Sequence, residues 1–124
     1  REPIIRKMKN GTLICVCLSG GNLDPENENV VEIMKSYDNG KTWSKPEILF
    51  SHHSRGVWAS EMFVDDEKVV LFIQTYNAEC YYRELQSFYS ISTDGGTTWS
   101  EPKSLPSGLN GVSIRQGIVM SNGN

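Results

Sequence analysis

Basic charge is scarce in this chain, long apolar runs are missing, and cysteine is too sparse to build a scaffold. Twelve Lys and Arg against fifteen Asp and Glu leave a net charge of −3 over 124 residues. That balance gives no electrostatic footprint for nucleic acid or for an acidic membrane surface. No run of about 18 apolar residues occurs, so no helix spanning a bilayer is expected. No secretory leader pattern stands at Arg1; a mature chain or a fragment would lack one too, so the compartment stays open.

Three cysteines do not make a disulfide framework. Cys15 and Cys17 stand two apart in an expected strand, on one face and badly placed to bridge each other, and Cys80 is left single. Buried free thiols are the expectation. There is no G-x-S-x-G elbow, phosphate loop or paired C-x-x-C, and His52-His53 has no spaced carboxylate or cysteine to complete a metal site. Neither a metal nor a cofactor is expected.

What the chain does have is an eight-residue pattern, used twice. Ser36-Tyr37-Asp38-Asn39-Gly40-Lys41-Thr42-Trp43 returns 56 residues later as Ser92-Thr93-Asp94-Gly95-Gly96-Thr97-Thr98-Trp99. The shared form is S-x-D-x-G-x-T-W, and both copies run on as Trp-Ser-x-Pro. Asn-Gly and Gly-Gly supply the positive φ of a tight turn, and the Asp before them can accept from turn N–H groups. The Trp is expected to anchor the returning chain in the core.

Around each copy the pattern reads as four short strands. The first set is expected at 4–8, 12–18, 30–35 and 47–50, and the second at 58–64, 69–76, 87–92 and 103–105. Residues 19–29 and 77–85 are polar loops, and 106–111 is a linker. The fold class expected is therefore all-β, with four-stranded antiparallel blades at 1–50 and 57–105 and the first strand of a third blade within 112–124. Propellers close with about four to eight blades, so the chain reads as part of one, its remaining blades lying elsewhere. The alternation of strand directions gathers Arg1, the 19–29 loop, His52, His53, Arg55, the 77–85 loop and residues 110–115 on one rim, where ligand sites of such folds collect.

The two octapeptides resemble the Asp boxes of the sialidase (neuraminidase) family. In that family the box is structural, which assigns Ser36, Asp38, Gly40, Trp43, Ser92, Asp94, Gly96 and Trp99 to the fold. Arg1-Glu2-Pro3 resembles the Arg-Ile-Pro that opens the first sialidase blade, whose Arg grips the sialic-acid carboxylate; a guanidinium fork suits that task. Asp24 sits where the family places its acid/base Asp, with Glu26 the nearest substitute. Trp58 and Glu61 are further candidates to line the pocket. The run Gln116-Gly117-Ile118-Val119-Met120-Ser121-Asn122-Gly123 is similar to the opening of the third sialidase blade and brings Arg115 and Gln116 to the rim as candidate substrate contacts.

The resemblance implies a six-bladed propeller that removes terminal sialic acids from glycoconjugates with retention. Sialidases use a Tyr nucleophile, which by family comes from later blades with its Glu and two more arginines. A chain of this extent would then be catalytically incomplete. Ser19-Gly20-Gly21 stands where the family often has a second Arg, and Trp58-Ala59-Ser60-Glu61 replaces a frequent Asp-Pro or Asn-Pro. A related hydrolase or lyase acting on another sugar therefore stays open, as does a non-catalytic propeller that binds glycan or protein.

Overall fold

The computed structural model describes residues 1–81 and 83–115. Eight strands form two antiparallel four-stranded sheets, each a simple meander in chain order. The first holds β1 (Ile4–Lys7), β2 (Leu13–Ser19), β3 (Val30–Ser36) and β4 (Glu47–Phe50). The second holds β5 (Gly56–Asp65), β6 (Lys68–Tyr76), β7 (Gln86–Ser92) and β8 (Lys103–Ser104). Each expected strand of the two blades is present within two residues of its expected bounds. Gln116 and most of the expected third-blade strand lie outside the described residues.

Alternation along the strands makes the core. Ile14, Val16, Val31 and Ile33 from the first sheet meet Val57, Ala59, Met62, Val69, Leu71 and Ile73 from the second in one buried cluster. β2 is buried along most of its length, as its apolar run predicts. Cys15 is buried and Cys17 half-buried; neither forms a disulfide, and burial pushes both thiols upward in pKa.

Both octapeptides close as expected. Asn39 and Gly40 have φ of 60° and 88°, and Gly95 and Gly96 of 69° and 78°. The Asp38 carboxylate accepts from Ser36 Oγ, Thr42 N and Thr42 Oγ1. Asp94 accepts from Ser92 Oγ, Thr97 N, Thr98 N and Thr98 Oγ1. The tryptophans differ, however. Trp99 packs on the core cluster edge-on to Phe50 at 6.2 Å between centroids, whereas Trp43 stays exposed. The first copy lacks the neighbouring sheet that the second copy has, so Trp43 corrects the expectation of two equal anchors.

Two short helical turns went unforeseen. Ala78–Cys80 forms one inside the 77–85 loop, capped by Asn77 Oδ1 accepting from Glu79 N, and Ser107–Leu109 forms the other inside the linker.

Candidate functional site

At the rim, Glu2, Asp24, Trp58, Leu85 and Ser113 line a cleft of about 350 Å³. That is the small end of the range of about 300–1,000 Å³ common for small-molecule sites. Asp24 comes from the β2–β3 loop of the first sheet and Trp58 from β5 of the second. The sequence pairs neither with the other; the packing of the sheets does.

β5 carries a bulge just beyond Trp58. Trp58 pairs with Gln74 and Ala59 with Ile73, but Glu61 pairs with Phe72, so Ser60 is the extra residue. Bulges of this kind re-aim side chains and recur beside active sites. Because Gln74 and Phe72 are two apart on β6, the bulge places Trp58 and Glu61 on one face of the second sheet. Glu61 is nevertheless buried and turned to the first sheet: its Oε1 accepts from Arg6 Nη2 at 2.5 Å and from Met62 N at 2.8 Å. The Arg115 guanidinium lies 4.8 Å from the centroid of the Trp58 ring, a cation–π contact that brings positive charge beside Trp58.

Arg1 is bound to the loop that carries Asp24. Its Nη2 donates to Gly20 O at 2.8 Å and its Nη1 to Asn22 O at 3.3 Å, while its backbone nitrogen donates to Leu18 O. Glu26 is also engaged, its Oε2 accepting from Asn22 N at 2.7 Å. The loop itself closes over the second sheet. Asn27 Oδ1 accepts from Ala78 N, Asn29 O accepts from Val57 N, and Tyr76 Oη donates to Asn29 Oδ1.

The segment just after the linker is fixed against the same sheet by a chain of small polar groups. Gln74 is buried; its Nε2 donates to Ser87 Oγ, its Oε1 accepts from Ser113 Oγ, and Ser87 Oγ in turn donates to Val112 O. This chain sets Ser113 on the cleft wall. Arg55 ties down the loop beside Leu85, donating to Thr75 Oγ1, Thr75 O and Glu84 O.

Sequence reasoning gathers Leu85 and Ser113 at the rim, within the 77–85 loop and residues 110–115, but singles out neither of them, nor Glu2, as a cleft residue. Glu2 was visible only as a departure from the Arg-Ile-Pro pattern, and it takes a left-handed φ of 47° that a bulky residue seldom adopts. Among the described residues no cluster of His, Cys, Asp or Glu could hold a metal ion, and no helix is long and apolar enough to cross a membrane.

In comparisons with known proteins, no curated protein matches the sequence. Among solved structures, a protein of unknown function from Dyadobacter fermentans is similar over 84% of this chain and 35% of its own, at 20% identity and a TM-score of 0.66. A mutant of an α-L-arabinofuranosidase from Fusarium graminearum, in complex with an iminosugar inhibitor, is similar over 82% of this chain and 31% of its own, at 19% identity and a TM-score of 0.60. A second structure of that arabinofuranosidase, also with an iminosugar inhibitor, gives 18% identity and a TM-score of 0.57. The chain therefore spans about a third of the length of the structures it resembles, and at such identities the likeness speaks for the fold. The model of the BNR repeat-like domain matches residues 11–124, nearly the whole sequence, and the chain belongs to that family.

Proposed function

We propose that this chain supplies the acid side of the active site of an exo-acting glycoside hydrolase, built on a propeller of six blades. One observation carries the reading: Asp24 and Trp58, from different sheets, line a single cleft at the rim. Hydrolysis of a glycoside needs a proton on the leaving oxygen, and a loop carboxyl is a suitable donor. An indole offers a flat apolar wall for a sugar ring. In the first step Asp24 gives its proton to the glycosidic oxygen and the aglycone leaves; in the second it takes a proton from the attacking water. The nucleophile that holds the sugar between these steps would come from another part of the whole protein.

A terminal sialic acid is the first substrate in view, in keeping with the paired Asp boxes. Arg115, stacked on Trp58, and Arg1, on the Asp24 loop, are the cations available to its carboxylate. A second reading is a neutral terminal sugar. It is favoured by the two carboxylates on the cleft lining, Glu2 and Asp24, and by the engagement of the Arg1 guanidinium with Gly20 and Asn22.

The test of Asp24 is the leaving group. In the whole protein Asp24→Ala should lower kcat/KM on glycosides with poor leaving groups by about 10²–10⁴-fold and on activated aryl glycosides far less. Equal losses on both would count against Asp24 as the proton donor.

A further inference from the structure

Asn29 is fully buried at the base of the Asp24 loop, and its side-chain amide is saturated with hydrogen bonds. Its Oδ1 accepts from Glu26 N at 2.8 Å and from Tyr76 Oη at 2.5 Å. Its Nδ2 donates to Gly20 O at 2.7 Å and to Leu23 O at 3.1 Å. Two acceptor positions and two donor hydrogens are the whole capacity of an Asn side chain. The bonds to Leu23 and Glu26 bracket the dipeptide Asp24-Pro25 on both sides, so this one amide holds the Asp24 backbone from either end.

That amide is in turn set by the other sheet. Tyr76, the last residue of β6, is fully buried, and its ring lies against Gly56, where an added Cβ would come within 2.5 Å of both Glu26 O and the ring. The backbone repeats the connection, with Val57 N donating to Asn29 O at 2.9 Å. The loop with the candidate acid belongs to the first sheet, whereas the groups that fix it belong to the strand that carries Trp58 and to its neighbour.

We propose that Asn29 and Tyr76 are the positioning pair of the cleft, holding Asp24 at a fixed place relative to Trp58 across the boundary between the two sheets. Neither residue touches the substrate. The inference deepens the hydrolase reading and rests on it. A displacement of the order of an ångström at a reacting group can cost about a hundredfold in rate. Loss of one of the amide's four bonds should therefore lower the rate of proton delivery while binding is kept.

The experiment is a double-mutant cycle in the whole protein, measured on glycosides with a good and a poor leaving group. Tyr76→Phe keeps the ring and its packing on Gly56 and deletes only the hydroxyl. On the poor leaving group it should lower kcat on the order of tenfold with KM nearly unchanged, and the good leaving group should be almost unaffected. In the Asp24→Ala background the same change should cost nearly nothing further, because the group it positions is gone. A merely structural role would lower both substrates alike and add in full. If Asp24→Ala itself shows no leaving-group dependence, or no glycoside is turned over, the hydrolase reading falls and the pair with it. If Asp24→Ala behaves as an acid variant and Tyr76→Phe is silent or fully additive, the positioning role alone is overturned.

Discussion

Asp38 is half-buried and Asp94 exposed, and each carboxylate is placed as an acceptor among hydroxyl and amide donors. The Thr42 hydroxyl and amide hold Asp38 down to about 2, and the Thr98 hydroxyl and amide hold Asp94 well below the ordinary carboxylate range. Since both folded values lie below the unfolded one, the stability they add is full above about pH 4 and is lost as pH falls through the folded values. Asp94→Asn should therefore lower the Tm at pH 7 and flatten its decline between about pH 4 and 2; an unchanged acid limb in thermal melts would contradict this. Gly96 has φ of 78°, and a Cβ there would lie 2.6 Å from Cδ1 of the buried Ile14. Gly96→Ala should then cost about 2 kcal/mol in denaturant unfolding, from backbone strain and overpacking together. These roles were legible in the sequence because donor, acceptor and turn lie within eight residues. Asn29 was not, since its partner Tyr76 is 47 residues away and Asn in a polar loop is unremarkable by composition. Glu61 reads in the sequence as a candidate to line the pocket, but its partner Arg6, 55 residues away, is not visible there.

At the scale of the element, one sequence pattern is used in two environments. Trp99 packs on the shared core, while Trp43 is 36% exposed. Trp99→Ala should cost about 3 kcal/mol of stability in the chain as it stands, and Trp43→Ala under about 1 kcal/mol, read as the shift in denaturant midpoint. Equal losses would contradict the packing described. Strand positions were readable because period-two alternation and turn residues agree along each meander. The β5 bulge was not, since Ser60 looks like any other strand residue until the register against β6 is known. That single extra residue sets Glu61 opposite Phe72 instead of Leu71.

For the whole molecule, the first sheet has one covered and one open side. Ile5 pairs with Cys15, and Ile48 with Glu32 opposite Cys17, so Ile5 and Ile48 share the face turned from the core. They are 46% and 64% exposed. On the propeller reading another sheet seats there in the whole protein, as the second sheet seats on the first. Trp43→Ala would then cost about 3 kcal/mol in the whole protein, matching Trp99→Ala; a loss that stays small in the longer chain would contradict a closed ring. Strand directions alone place Arg1, the 19–29 loop, His52, His53, Arg55, the 77–85 loop and residues 110–115 on one rim. The cleft within it depends on how the two sheets pack, which no local pattern encodes.

The measurement that bears most directly on the account is release of a fluorogenic aglycone by the whole protein from a sialoside and from a panel of neutral and uronic-acid glycosides, each repeated with Asp24→Ala. Turnover of a terminal glycoside, the sialoside first, is expected, and it should fall by orders of magnitude when Asp24 is replaced. Turnover of a neutral glycoside alone would keep the acid and discard sialic acid, whereas silence across the panel, or activity indifferent to Asp24, would contradict the account.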